Sequence, residues 1–263
     1  MKKAKQLGME LQQRLSFSGY LTEIQPATNL FWPGCALMNL ELPILQKTWA
    51  VLNRYQPMGV SSGCCGQPTL FLQPGKHPAR AEWLSQKLEQ AKVQTVYTAC
   101  PNCTLQMEQF DGLQVQSIWP VLEAYCKKED LAPLPAAGCN LHDPCPTRKD
   151  TQQQAALRGL LEQAGMEIKE PEHTGASTLC CGNRSMMQII HPEKSKAARQ
   201  RRVAEFDPRY PVVSSCEGCL SAFRGEGLDT LHLLEVLFGA SHSRGLQNRL
   251  AFTKWAKQTG ASI

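Results

Sequence analysis

The 263-residue chain has no long apolar run. Its best stretch, Leu231 to Ala240, is broken by His232 and Glu235 and falls short of the roughly 18 residues that a membrane helix needs. It also lacks charge of one sign. Lys and Arg number 28 against 23 Asp and Glu, and a net charge of +5 does not by itself point to nucleic acid. There is no G-x-G-x-x-G or Walker loop, which excludes the usual nucleotide-binding devices. Nor is there a close-packed cysteine run of the bacterial ferredoxin type, so no evident wire brings electrons in from outside. The first residues are basic (Lys2, Lys3, Lys5), but Gln6-Leu7-Gly8-Met9-Glu10 gives no apolar core for a signal peptide. A cytoplasmic location is therefore expected. Apolar residues at 42% and charged residues at 19% exclude wholesale disorder.

What the chain has is cysteine, twelve in all. In a reducing compartment that number points to metal before disulfides. Ten of them write one pattern twice. Cys35 is followed after 28 residues by Cys64-Cys65-Gly66, and after 34 more by Cys100-Pro-Asn-Cys103. Cys145 is followed after 34 residues by Cys180-Cys181-Gly182, and after 34 more by Cys216-Glu-Gly-Cys219. From the vicinal pair onward the copies are offset by a constant 116 residues, the mark of an internal duplication. The flanks repeat too: Asn29-Leu30-Phe31-Trp32 aligns with Asn140-Leu141-His142-Asp143, and Thr95 to Ala99 with Pro211 to Ser215.

Between these markers lie helical patterns, at Leu42 to Arg54, Pro78 to Ala91, Thr151 to Ala164 and Pro192 to Glu205. Further helices follow each C-x-x-C, at Ile118 to Lys127 and Leu231 to Phe238. Strands alternating with helices predict an α/β fold of two pseudo-symmetric cysteine-rich repeats, each a small, mostly parallel sheet with flanking helices. The expected divisions are an N-terminal extension (1–28), a first repeat (29–132), a second repeat (138–240) and a basic C-terminal tail (241–263), with a Pro- and Gly-bearing linker around Glu129 to Gly138.

Each repeat offers five thiolates, where tetrahedral zinc or a cubane iron–sulfur cluster takes four. Two adjacent cysteines do not easily reach separate corners of a cubane, but they can bridge neighbouring irons of an opened cluster. An iron–sulfur cluster of unusual ligation is one reading; zinc with a spare cysteine is the other.

The duplicated C, C-C-G, C-x-x-C pattern resembles the cysteine-rich CCG domain of heterodisulfide reductase B-type subunits. Related domains occur in iron–sulfur subunits of anaerobic glycerol-3-phosphate dehydrogenase, glycolate oxidase and lactate-utilisation systems. The resemblance covers Asn29 to Ala240 and includes all ten family cysteines. It implies that Cys35, Cys64, Cys65, Cys100 and Cys103 ligate one noncubane 4Fe–4S cluster, and Cys145, Cys180, Cys181, Cys216 and Cys219 another. It implies two pseudo-twofold α/β halves whose clusters face a shared cleft. The implied activity is reduction of a small-molecule disulfide, with a ferredoxin-like iron–sulfur subunit or a flavin dehydrogenase as partner; the alternative is an electron relay to a quinone. Some family members hold zinc in one half, and the short first gap makes the first half its place here.

Other residues carry weaker signals. Cys126 and Cys139 lie outside the pattern and read as small buried hydrophobes. His142 reads either as a donor beside a cluster or as a plain turn or core residue. Arg148, Arg184 and Arg224 follow cysteines closely enough to offset cluster charge. The basic run Lys194, Lys196, Arg199, Arg201 and Arg202 reads as a solvated helix face rather than a nucleic-acid surface. The tail packs on its own domain or, at most, associates peripherally with a partner or membrane.

Overall fold

The computed structural model describes residues 2–259, with side chains from residue 6 onward. Two packed units emerge, one of residues 1–118 and 243–263, the other of residues 119–242.

The first unit holds a four-stranded parallel sheet of β1 (Asn29–Trp32), β2 (Gly59–Val60), β3 (Thr95–Thr98) and β4 (Gln114–Ser117), in the order β2-β1-β3-β4. The β1 and β3 segments, Asn-Leu-Phe-Trp and Thr-Val-Tyr-Thr, are rich in β-branched and aromatic residues and buried on both faces, as central parallel strands are. Helix Leu42–Tyr55 carries Pro43 in its first turn and buries Ile44, Leu45, Thr48, Val51 and Leu52, a single apolar stripe. The N-terminal helix Lys2–Ser16 packs against the short helix Gln67–Leu72 that follows the first vicinal pair. The C-terminal helix Leu246–Thr259 buries Arg249, Phe252, Thr253 and Ala256, with Trp255 edge-on to Trp49 at 5.7 Å. Residues 246–259 of the basic tail thus form an integral helix of the first unit, and residues 260–263 of that tail lie outside the described residues.

The second unit repeats the design with β5 (Gly138–His142), β6 (Glu167–Lys169), β7 (Val212–Ser214) and β8 (Thr230–His232), ordered β6-β5-β7-β8, all parallel. Helix Thr151–Ala164 begins at Asp150, whose carboxylate accepts from Gln153 N at 2.9 Å, and ends at Gly165 in the left-handed region. Glu123, which the sequence groups with the first repeat, packs here: its carbonyl accepts from Gln163 Nε2 at 3.1 Å. The packed units therefore differ from the boundaries 29–132 and 138–240.

Strand register corrects one alignment. Trp32 lies opposite Thr98 and His142 opposite Ser214, and Thr98 and Ser214 are 116 residues apart. Trp32 and His142 therefore hold the same place in the two sheets. Matching Asn29 to Asn140 slips the strand by one residue, which would turn every side chain to the wrong face.

Among the described residues no helix is long and apolar enough to cross a membrane.

Candidate metal centres

In a parallel sheet every strand delivers its following loop to the same edge. Cys35, Cys64-Cys65 and Cys100 follow β1, β2 and β3, which are neighbours in the sheet. The chain runs outward from β1 to β2 and then returns to β3 on the other side, so the loops after β1 and β3 flank a topological switch point, where open α/β sheets bind ligands. The second unit places Cys145, Cys180-Cys181 and Cys216 after β5, β6 and β7 in the same way.

The ten cysteines singled out by spacing are gathered into two sets of five. In the first, sulfur contacts run from Cys35 to Cys64, Cys64 to Cys65, Cys65 to Cys103 and Cys103 to Cys100. In the second they run in the same order: Cys145 to Cys180 at 3.7 Å, Cys180 to Cys181, Cys181 to Cys219 and Cys219 to Cys216. All are free thiols. Gly66 and Gly182, the third residue of each C-C-G, have φ of +83° and +82°, where an L side chain would be strained.

Each set has one favoured thiolate at the same place. Hydrogen bonds from Cys35 and Cys65 hold Cys64 well below the ordinary thiol range, and bonds from Cys145 and Cys181 do the same for Cys180. The donors Cys35 and Cys145 are pushed up in return, with burial adding to the effect. Cys100 caps the helix Pro101–Met107 and is lowered to about 7, chiefly by the bond from Cys103, with the backbone N–H groups of Asn102 and Cys103 assisting. Five sulfurs turned on one another, with only a few polar neighbours, form a donor set suited to zinc or iron–sulfur rather than to hard cations. Five is one more than tetrahedral zinc takes.

Several surrounding residues were not legible in the sequence. Gln13, in the N-terminal helix, is buried; its Nε2 lies 3.4 Å from Cys64 Sγ and its Oε1 accepts from Thr69 Oγ1 at 2.9 Å. The basic run is not a solvated face throughout: Arg199 and Arg202 are buried, paired with Glu226 at 2.8 Å and Glu205 at 2.7 Å. Glu226, 27 residues from Arg199, and Glu205, three residues on from Arg202, make that burial tolerable. Arg202 Nε also lies 3.1 Å from His142 Nδ1. His142 is fully buried, and burial with the nearby Arg202 charge lowers its imidazole to about 3, so it is neutral. A ring nitrogen of His142 and the Sγ atoms of Cys181 and Cys219 lie within 4.8 Å of one another.

The neighbouring arginines divide by role. Arg148 donates Nε and Nη2 to Thr178 O, at 3.1 and 2.6 Å, and ties down the loop before Cys180. Arg224 is paired with Glu217 and Thr230. Exposed Arg184 is near enough for its charge to lower Cys145. Cys139 is buried within β5, and Cys126 is half-buried.

No curated protein matches the chain. Solved structures similar to it include an aspartate racemase homologue from Pyrococcus horikoshii (11% identity, 89% of this chain and 100% of that one, TM-score 0.30). A glutamate racemase isoform from Bacillus anthracis (11%, 88% and 82%, 0.31) and the aspartate racemase of Picrophilus torridus (9%, 86% and 98%, 0.31) are alike to the same degree. Likenesses that slight carry no argument. The cysteine-rich CCG domain model, by contrast, matches residues 29–108 and 139–224, and each segment holds one complete set of five cysteines. The chain belongs to the CCG cysteine-rich domain family.

Proposed function

We propose that this chain is an iron–sulfur redox protein resembling the B-type subunits of heterodisulfide reductase. The reaction is RSSR′ + 2 electrons + 2 protons → RSH + R′SH, with a ferredoxin-like iron–sulfur subunit or a flavin dehydrogenase as the electron donor. The observation that carries it is the pair of five-cysteine sets, linked in the same order at the carboxyl ends of two parallel sheets. Cys35, Cys64, Cys65, Cys100 and Cys103 would hold one noncubane 4Fe–4S cluster, and Cys145, Cys180, Cys181, Cys216 and Cys219 the other. When bound, each cluster supplies a one-electron centre, and disulfide cleavage takes two electrons. Cys64 and Cys180, held low by hydrogen bonds from their neighbouring thiols, are the sulfurs of each set that most favour the thiolate a metal needs. Arg184, exposed beside Cys145, offsets negative charge at the rim of the second set.

Protein purified without oxygen should carry about eight irons per chain with matching sulfide, as two four-iron clusters require. Stoichiometric zinc with negligible iron and no visible absorption overturns the reading. One zinc with about four irons assigns zinc to the first half, where the gap after Cys35 is shorter. Chemically reduced protein mixed with candidate disulfides should release thiols in step with reoxidation. If no disulfide reoxidises it while a quinone or dehydrogenase exchanges electrons quickly, the chain is a relay.

A further inference from the structure

Trp32 ends β1 and His142 ends β5 at the same register position, opposite Thr98 and Ser214. Both rings are fully buried, and each has one nitrogen without a hydrogen-bond partner: Nε1 of Trp32 and Nε2 of His142. An unmet buried polar group is costly, yet one stands at the same place in both halves.

An indole nitrogen can only donate. His142 is brought to the same state by its neighbour. Arg202 Nε approaches Nδ1 at 3.1 Å, and a guanidinium has donors only, so Nδ1 accepts. A ring that accepts at Nδ1 carries its proton on Nε2. Arg202 is itself fixed, by His173 O at 2.6 Å and Glu205 Oε2 at 2.7 Å. Phe223 and Phe206 stand edge-on to the imidazole, with centroids 5.0 and 6.4 Å away, which leaves it little freedom to turn.

Sulfurs of the two cysteine sets stand beside both rings. His142 clusters with Cys181 and Cys219. Trp32 packs in one apolar cluster with Cys65 and Cys103, their counterparts 116 residues earlier, and its ring lies against Gly63, the residue before Cys64. We propose that His142 is a positioning residue that donates Nε2–H to the sulfur of the second cysteine set and is not itself a metal ligand, and that Trp32 donates from the same place in the first. This rests on the metal-binding function proposed above. A hydrogen bond to sulfur stabilises the more negative, reduced state of a cluster and raises its potential.

Two measurements test it. In the zinc-loaded chain labelled with ¹⁵N-histidine, long-range proton–nitrogen correlation should show His142 protonated at Nε2 and unprotonated at Nδ1. A metal-bound or unprotonated Nε2 overturns the proposal, and this needs neither iron nor a variant. In the iron-loaded chain, a redox titration followed by electron paramagnetic resonance should show that His142→Phe lowers the equilibrium constant for reducing the second cluster about tenfold, a fall of ~59 mV for one electron. The first cluster should be unmoved, and His142→Gln, which keeps an N–H, should recover most of the loss. An unchanged second potential in His142→Phe overturns the proposal. A chain that takes up no iron overturns the cluster reading instead, and the tautomer measurement on the zinc form then decides the role of His142 alone.

Discussion

Gln13 Nε2 stands 3.4 Å from Cys64 Sγ, so the N-terminal helix reaches the thiolate that the first set favours. Gln13 also accepts from Thr69, on the helix that follows the vicinal pair. Gln13→Leu removes both partners from a buried site. Stability should fall by about 1–3 kcal/mol. Metal bound by the first set should be lost to chelators faster than in wild type, while the second set is unaffected; equal loss from both sets would contradict a local role.

Cys181 contacts both Cys180 and Cys219, whereas Cys126 is half-buried and outside both sets. Cys181→Ser should cost the second set its metal, read as loss of about half the bound iron and its visible absorption. Cys126→Ser should leave metal content unchanged. The reverse pattern would refute the ligand assignment.

Asp143 is fully buried and accepts from Arg158 Nη1 and Nη2 at 3.2 and 2.9 Å, from Thr174 Oγ1 at 2.9 Å and from Gly175 N at 2.8 Å. It joins the end of β5 to the loop that leads toward Cys180. Asp143→Asn keeps the shape but leaves Arg158 without this charge. Denaturant unfolding should show a loss of about 3 kcal/mol, the lower end for a broken buried pair because Arg158 is partly solvated.

Cys139, fully buried in β5, is pushed up to about 12 by burial, with Glu170 adding repulsion. The folded thiol keeps its proton where the unfolded one, at 9.0, has lost it. Above pH 9 the unfolded state gains from ionisation and the folded state does not, so stability falls as pH rises toward 12. Wild type should lose about 1.4 kcal/mol per pH unit more than Cys139→Ala in that window. At neutral pH iodoacetamide should spare Cys139 until the chain is unfolded, while half-buried Cys126 reacts in the folded chain.

The duplication, the α/β class and the two cysteine sets were legible because each is written in covalent spacing. An identical 34-residue gap between C-C-G and C-x-x-C in both copies leaves little choice but two equivalent units, and β-rich runs ending at cysteines imply loops on one edge of a parallel sheet. Helix Thr151–Ala164 was readable to the residue, since Asp150 and Gly165 mark its two ends. Tertiary structure decided what surrounds the sulfurs. Gln13 meets Cys64 across 51 residues and Arg202 meets His142 across 60, and neither side chain carries a local mark of burial. A basic run looks solvated until Glu226, 27 residues on, folds against Arg199. The equivalence of Trp32 and His142 likewise needed the strand register: the first gap is six residues shorter than the second, and only hydrogen-bonded pairing fixes which residue of β5 answers to which residue of β1. Spacing along the chain brings the ligands to one edge; long-range packing decides which polar groups are buried beside them.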